Sequence, residues 1–311
     1  MTEIVLFSGN ANPALAQKIS QKLGVPLGDA TVSRFSDGET RVELQVNIRG
    51  RDVFIVQPTC APVNEHLMEA MVIVDACRRA SAKTITLVAP YFGYARQERK
   101  SASRTPITAK LVAEIMEVAG VTRLLTLELH NSAIQGFFNI PVDHLFVKPV
   151  ISEYFKNLHG NVIVVSPDAG GVERARAMAK QLRCSLAIID KRRDTPNECE
   201  VMNIIGDVKG KFCLIIDDIV DTGGSLIKST EALIENGASE VHAAITHPVL
   251  SGTAVQRIAG SKLQQLVVTD SIPLSLEARK CNKIKQITVA GLLSEAILRI
   301  HNQDSISSLF L

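Results

Sequence analysis

Residues 212–225 read Phe212-Cys-Leu-Ile-Ile-Asp-Asp-Ile-Val-Asp-Thr-Gly-Gly-Ser225. The apolar run at their start is typical of a strand buried on both faces, as in a parallel sheet. Gly223 and Gly224 permit a tight turn, and Thr222 or Ser225 can cap a following helix. The segment therefore predicts a strand that leads, through a loop of backbone N–H groups, into a helix N-terminus, which is a ready anion site.

Three carboxylates interrupt this segment. We expect the strand to stop near Ile216, so that Asp217 and Asp218 lie at its end and Asp221 lies in the loop. Carboxylates do not favour a phosphate, but they accept hydrogen bonds from sugar hydroxyls and they bind magnesium. Hydroxyl, phosphate and metal binding in one short segment indicates a sugar-phosphate site. The alternative is a solvated Asp-Thr-Gly-Gly turn, which is less expected where the acids join a buried strand to a helix.

Composition narrows the class of protein. The chain has 311 residues, enough for two domains, and it is 46% hydrophobic and 21% charged. A net charge of +2 and an aromatic content of 4%, with no tryptophan, argue against nucleic-acid binding. Six scattered cysteines without a Cys-x-x-Cys pair favour free thiols in a reducing cytosol. With no signal-peptide pattern and no apolar span of membrane length, we expect a cytoplasmic protein without a membrane partner.

Strand-like and helix-like segments alternate along the chain, which predicts an α/β fold of parallel sheets with helices on both faces. Ligands of such folds lie beyond the carboxyl ends of the strands. The predicted strands are Ile4–Phe7, Val53–Gln57, Ile85–Ala89, Leu124–Leu127, Val162–Val165, Leu186–Ile189, Phe212–Ile216, Val241–Thr246, Leu266–Val268 and Ile287–Val289. The predicted helices include Pro13–Leu23, Asn64–Ala80, Ile107–Ala119, Gly171–Gln181, Ser225–Asn236 and Ser294–Ile300.

A faint internal repeat predicts two domains. The segment Val53–Gln57 aligns with Cys213–Asp217, although a shared fold pattern alone could produce the match. After the first segment, Pro58-Thr-Cys-Ala-Pro-Val-Asn64 replaces the acidic glycine loop, so only the second copy is expected to bind sugar phosphate. We expect domains at 1–147 and 148–311, with the last helix as a candidate to pack on the first domain.

Further motifs, in order along the whole chain, resemble the ribose-phosphate pyrophosphokinase family. They are Arg34-Phe-Ser-Asp-Gly-Glu39, Tyr91-Phe-Gly-Tyr-Ala-Arg-Gln-Glu98, Leu129-His130, Ile134-Gln-Gly-Phe-Phe138, Pro141-Val-Asp143, Ser166-Pro-Asp-Ala-Gly-Gly171, Asp190-Lys-Arg-Arg193 and the 217–225 loop. The resemblance implies two tandem type I phosphoribosyltransferase-like domains, each a mainly parallel sheet flanked by helices. It also implies magnesium-dependent transfer of pyrophosphate from ATP to O1 of ribose 5-phosphate, which gives PRPP and AMP for nucleotide biosynthesis.

The resemblance assigns roles to individual residues. For ribose 5-phosphate it implies Asp217, Asp218, Asp221, Thr222, Gly223, Gly224 and Ser225. For ATP it implies Phe35, Asp37, Glu39, Arg96, Gln97 and His130, the first three from a neighbouring subunit. For magnesium it implies His130 and Asp168, and for catalysis Lys191 and Arg193 on a flexible loop. These residue types suit the roles, because arginine can hold phosphates bidentately and a basic loop can stabilise charge on a transferring group.

Regulation and assembly also follow from the resemblance alone. It implies a hexamer built of dimers, activation by inorganic phosphate and inhibition by ADP. The matching regulatory positions are Arg49, Ser81, Arg104, Ser305 and Ser307. Three positions depart from the usual family pattern, namely Glu98, Glu128 and Asn139, where aspartate is common, and the last two leave a second metal near Asp143 open.

Two other functions stay open at this point. A phosphoribosyltransferase that uses PRPP would keep the 217–225 loop without needing Arg96, Gln97 or the basic 191–193 segment. A non-catalytic subunit associated with a synthetase would be expected to lack Lys191 and Arg193, yet both are present.

Overall fold

The computed structural model describes residues 3–158, 160–192 and 201–310. The chain divides into two compact units. Unit one comprises residues 1–147, 271–273 and 288–311, and unit two comprises residues 148–270 and 274–287. Within the described ranges, no helix is both long and apolar enough to cross a membrane.

Strands and helices alternate along most of the chain. The strands are β1 Ile4–Ser8, β2 Ala30–Arg34, β3 Thr40–Leu44, β4 Asp52–Val56, β5 Thr84–Ala89, β6 Arg123–Leu127, β7 Val142–Leu145, β8 Val162–Ser166, β9 Ser185–Arg192, β10 Val201–Ile205, β11 Phe212–Val220, β12 Glu240–Pro248, β13 Gln265–Thr269 and β14 Ile284–Ile287. The helices are α1 Pro13–Leu23, α2 Val63–Arg79, α3 Thr108–Ala119, α4 Lys148–Tyr154, α5 Val172–Leu182, α6 Gly224–Glu235, α7 Ala254–Gly260, α8 Leu276–Lys280 and α9 Ala290–Asn302.

The two units repeat one sheet topology. In unit one the sheet order is β1-β4-β5-β6-β7 and every neighbouring pair is parallel. In unit two the order β8-β11-β12-β13-β14 matches it strand for strand, again all parallel, and β9 and antiparallel β10 extend the sheet beyond β8. The strands that align in sequence, β4 and β11, hold the same place in the two sheets. The predicted fold class is confirmed.

Buried β-branched and aliphatic side chains explain why these segments are strands. All five residues of β4 are buried, and so are four consecutive residues of β11, Cys213 to Ile216. Strands buried on both faces read as continuous apolar runs rather than alternating ones. The preceding loop of α1 shows the local logic of the helices: the Asn12 side chain accepts from the Leu15 amide at 3.2 Å, Pro13 opens the helix and Gly24 ends it at φ 66°.

Several elements differ from the sequence prediction. The predicted strand Ile287–Val289 is wrong, because the last strand is β14 and ends at Ile287. Val289 is fully buried and precedes α9, so an Ile-Thr-Val run that looks like a strand supplies core contacts at a helix start. The pairs β2–β3 and β9–β10 were also not predicted as hairpins, because their strands bury one face at most or lie at a sheet edge.

The last helix belongs to unit one. Helix α9 packs along α1, and the Ser294 hydroxyl contacts the Ile19 carbonyl at 3.4 Å. At its C-terminal end His301 Nδ1 lies 3.0 Å from Asp52 Oδ2, and the Thr84 hydroxyl donates to the other oxygen of Asp52 at 2.8 Å. A chain segment that follows unit two therefore completes the core of unit one.

This packing gives a stability prediction with a matched control on the same helix. Leu293 is fully buried and Leu298 is 42% exposed. Leu293→Ala should reduce the free energy of unfolding by about 2–5 kcal/mol, whereas Leu298→Ala should change it by less than about 0.5 kcal/mol. Thermal and denaturant unfolding of both variants measure the difference. Equal small losses would contradict the burial of α9.

Candidate functional site

The acid pair lies inside a strand rather than after it. Strand β11 continues to Val220, because its pairing with β12 extends to Val220↔Pro248. The prediction that the strand stops near Ile216 is therefore wrong. Asp218 is buried at 4% exposure, the Asp217 side chain is 26% exposed, and the Asp218 amide donates to Asp217 Oδ1 at 2.9 Å. The two carboxylates are fixed by sheet pairing at the carboxyl half of a central strand.

A cation that the sequence reading missed lies against both acids. Arg174, in the first turn of α5, places Nη1 at 3.5 Å from Asp217 Oδ1 and at 3.3 Å from Asp218 Oδ1. Burial raises the pKa of Asp217, and the charge and hydrogen bonding of Asp218 raise it further, while the Arg174 guanidinium opposes the shift. The sequence signal was an arginine just after the Gly170-Gly171 pair.

The loop after β11 leads directly into α6. Gly223 has φ 75° and forms the N-cap of α6, and no side-chain hydrogen bond caps this helix. The prediction that Thr222 or Ser225 caps it is therefore wrong; both side chains are exposed. A left-handed φ favours glycine, and a helix start whose N–H groups are not consumed by a capping side chain is suited to an anion.

Asp221 is oriented by the neighbouring loop. The Ser251 hydroxyl donates to Asp221 Oδ1, and the Ser251 amide donates to the Asp221 carbonyl at 3.1 Å. The Leu250 amide donates to the Val220 carbonyl at 3.0 Å. The loop after β12 thus fixes the first residue of the 221–225 segment, and Ser251 is a second contact that the sequence reading did not find.

The loop after β8 borders the same strand, since β8 pairs with β11. The Asp168 carboxylate accepts from the Gly171 amide at 3.0 Å, and the Ser166 hydroxyl donates to the Asp168 carbonyl at 2.7 Å. A Cβ added to Gly171 would lie 3.0 Å from Ser166 Oγ, so this turn needs a small residue. Asp168 thus fixes the turn before α5, whose N-cap is Gly171, and its role toward metal stays a prediction.

The donor set fits magnesium held partly by substrate. Within residues 3–158, 160–192 and 201–310, no group of three or more His, Cys, Asp or Glu side chains is arranged to hold a metal ion. Magnesium typically takes one or two carboxylates together with water and substrate phosphates, rather than an all-protein cage. Asp168, half-buried at the carboxyl end of β8, is a carboxylate of that kind.

The corresponding place in unit one is filled by protein. Gln57, which aligns with Asp217, is fully buried and accepts from the Ala11 amide at 3.1 Å. Its amide donates to Glu69 Oε1 at 2.8 Å, and Glu69 also accepts from the backbone and side-chain nitrogens of Asn10. A Cβ on Gly9 would lie 2.2 Å from the Gln57 oxygen. At the position that aligns with Asp217, unit one therefore has a buried amide bonded to its own neighbours in place of a carboxylate.

Two other predicted segments of unit one follow neighbouring parallel strands. Arg96 and Gln97 are exposed in the loop after β5, and the exposed His130 follows β6. Gln97 is ordered by Thr108, whose hydroxyl donates to its side-chain oxygen at 2.6 Å. Gly93 is required by packing, since a Cβ there would lie 2.4 Å from the Thr59 carbonyl. The carboxyl ends of β5 and β6 thus bring an arginine, an amide and an imidazole to one edge of the sheet.

The remaining predicted ATP residues lie on the β2–β3 hairpin. Its tip holds Phe35, Asp37 and Glu39; Phe35 is 51% exposed, and the Asp37 carboxylate accepts from the Glu39 amide at 3.1 Å. The Arg41 guanidinium lies 5.9 Å from the Phe35 ring centre. A single exposed ring is ordinary at a protein surface, so the assignment of Phe35 to adenine stays a prediction.

The two predicted catalytic residues lie at or beyond the end of strand β9. Lys191 lies near the end of β9, but its side chain is outside the described part, and Arg193 lies outside the described residues altogether. Their roles stay predictions.

The regulatory positions fall in four segments of unit one, two of which are adjacent. The Gly50 amide, next to Arg49, donates to the Ser81 carbonyl at 2.9 Å, so these two turns are adjacent. Ser305 and Ser307 follow α9, and their hydroxyls lie 3.1 Å apart. Arg104 is exposed in the loop before α3, with φ 63°.

The three positions that depart from the family pattern all have structural partners here, and Glu98 is ion-paired with Arg99 at 3.4 Å. Glu128 is buried and accepts from the Val147 amide at 3.1 Å. Asn139 donates from its side-chain amide to Glu117 at 3.0 Å.

Asp143, beside these departures, is ion-paired with Arg123 at 2.7 Å. Its carboxylate is therefore engaged by a cation, which disfavours a metal at that place.

Two copies of one parallel-sheet unit, one of which carries an acid pair a few residues before a helix start without a side-chain cap, form the arrangement predicted above for a sugar-phosphate-binding α/β protein. The family model for the N-terminal domain of ribose phosphate pyrophosphokinase matches residues 4–120, and the phosphoribosyl synthetase-associated domain matches residues 192–311. The chain belongs to the ribose-phosphate pyrophosphokinase family.

Relatives of similar length support this assignment. The ribose-phosphate pyrophosphokinase of Burkholderia pseudomallei (strain K96243) is 57% identical over 309 residues, 99% of this chain and 97% of that protein. That of Bacillus subtilis (strain 168) is 55% identical over 307 residues, 98% of this chain and 96% of that protein. The crystal structure of phosphoribosylpyrophosphate synthetase from Mycobacterium smegmatis matches with a TM-score of 0.92 and 36% identity, over 97% of this chain and 100% of that chain.

The raised pKa of Asp217 gives a pH-dependent stability prediction. A carboxyl group whose folded-state pKa is raised stabilises the fold while it is protonated, and that contribution is lost as pH rises through the raised value. Asparagine cannot ionise. The melting temperature of Asp217→Asn should therefore rise relative to that of the parent protein as the pH increases from about 5 to about 8.

Asp207→Asn is the control, because backbone and lysine contacts lower the pKa of Asp207. It should show no such gain over the same pH range. A melting-temperature difference for Asp217→Asn that stays constant with pH would contradict the assigned electrostatics.

Proposed function

We propose that this protein transfers pyrophosphate from ATP to O1 of ribose 5-phosphate and releases PRPP and AMP. The observation that carries the proposal is the acid pair of β11 beside the uncapped start of α6. Relatives that carry the name ribose-phosphate pyrophosphokinase over nearly the full chain support the same reaction. Its product would serve nucleotide biosynthesis.

The pentose would bind by its alcohols and its phosphate. Asp217 and Asp218 would accept hydrogen bonds from the 2- and 3-hydroxyls, which only acceptor oxygens can do. The segment from Asp221 through Ser225 would surround the 5-phosphate with backbone N–H groups, assisted by the dipole of α6. The hydroxyl of Ser251 holds Asp221 in place for this role.

ATP would bind through the loops that follow β5 and β6. Arg96 would hold the triphosphate and Gln97 the adenine edge, with His130 near the metal-bound phosphates. Phe35, with Asp37 and Glu39 at the hairpin tip, would contact the adenine of a neighbouring subunit.

Magnesium, for which the family resemblance implies Asp168 in unit two and His130 in unit one, would bind together with substrate phosphates and neutralise their charge. Lys191 and Arg193 would stabilise charge on the transferring group while O1 attacks the β-phosphorus in line. Positioning and electrostatics carry such a reaction without a covalent enzyme intermediate. We infer a cytoplasmic enzyme assembled as a hexamer built of dimers.

Regulation by inorganic phosphate is part of the proposal. Arg49, Ser81, Arg104, Ser305 and Ser307 would bind the activating anion, and ADP would compete for that site. The contact between the Arg49 and Ser81 turns supports this grouping. Arg49→Ala should abolish activation by added phosphate. At saturating phosphate, the KM for ATP and the KM for ribose 5-phosphate should change little. Purified parent enzyme that is insensitive to phosphate would contradict the regulatory proposal.

Two alternatives are separable by one assay. The pure protein is incubated with ATP, magnesium and ribose 5-phosphate, and AMP and PRPP are measured. We expect both products in equal amounts. A non-catalytic associated subunit or a PRPP-consuming phosphoribosyltransferase would make neither product. The formation of AMP and PRPP would therefore exclude both alternatives.

The catalytic assignment has its own test. Lys191→Ala should lower kcat by roughly 100-fold or more, because a cation on the transferring group is worth that much in comparable sites. Lys180→Ala, an exposed lysine on α5, is the matched control and should leave kcat unchanged. Parent-like turnover of Lys191→Ala would remove this lysine from the mechanism.

A further inference from the structure

Adjacent residues of a strand normally point to opposite faces of the sheet, yet one nitrogen atom contacts both acids of β11. Arg174 Nη1 lies 3.5 Å from Asp217 Oδ1 and 3.3 Å from Asp218 Oδ1. Alternation would separate these carboxylates. The acid pair is therefore gathered at one edge of the strand around a single guanidinium.

The guanidinium is placed rigidly. Arg174 is the third residue of α5, and α5 packs on both β8 and β11. Its side chain is only 20% exposed, and the loop before the helix is fixed by the contact between Asp168 and the Gly171 amide. The cation therefore belongs to a packed helix, and most of its side chain is covered by protein.

We propose that Arg174 is a positioning residue for ribose 5-phosphate: it holds Asp217 and Asp218 as two converging acceptors for the sugar hydroxyls. This inference rests on the proposed function and extends it. Two neighbouring carboxylates repel each other, and a fixed cation between them offsets that repulsion. Without it the two carboxyl groups would no longer be held on one nitrogen atom, and the sugar hydroxyls would lose a pair of acceptor oxygens at fixed positions.

The test compares three variants in steady-state kinetics and in direct binding of ribose 5-phosphate by calorimetry. Arg174→Gln should raise the KM for ribose 5-phosphate and its Kd at least about tenfold, and leave the KM for ATP within about twofold. Arg174→Lys should recover part of the affinity, since lysine supplies the charge without the fork. Arg176→Gln, an exposed arginine on the same helix, is the matched control and should match the parent protein.

The outcomes separate this inference from the proposed function. If the parent protein forms no PRPP and AMP, the proposed function fails. If the parent is active and Arg174→Gln binds ribose 5-phosphate as the parent does, the positioning role fails. A variant that loses melting temperature with both KM values and the Kd unchanged would show a purely structural arginine, and that result also overturns the inference.

Discussion

Two carboxylates side by side in a buried strand impose the constraint on which the site depends. Asp218 is almost fully buried and the Asp217 side chain is only 26% exposed, so water screens their charges poorly. The Arg174 guanidinium contacts both carboxyl groups, and the Asp218 backbone amide donates to Asp217. Burial raises the pKa of Asp217, and the neighbouring charge of Asp218 raises it further, while the guanidinium opposes the shift.

The duplicated topology shows how one fold supports two jobs. Both units present the carboxyl end of a central strand, β4 or β11, beside the loop that follows the first strand of the sheet. In unit two that place holds acids and an open helix start. In unit one it is closed by Gln57, which is buried and bonded to Glu69. The Gln57 amide makes its hydrogen bonds to protein groups, so at this place in unit one the side chain has a structural role.

Much of this could be predicted from sequence, because the relevant signals are local. The apolar runs of β4 and β11 gave the parallel sheets, and Asp217, Asp218 and the two glycines after them indicated the sugar-phosphate site. The features that the sequence did not predict correctly depend on long-range contacts. Strand β11 runs past its acids because β12 pairs with it that far. Arg174 contacts the acid pair through the packing of α5, and Ser251 contacts Asp221 through the loop after β12. For Arg174 the sequence offers a signal only in its position just after Gly170-Gly171, which does not by itself predict the contact.

The most direct measurement is a crystal structure of this protein with ribose 5-phosphate bound. The account predicts the 2- and 3-hydroxyls within hydrogen-bonding distance of Asp217 and Asp218, and the 5-phosphate on the backbone amides that open α6. A pentose bound at another place, with the acid pair still contacting only protein, would contradict it.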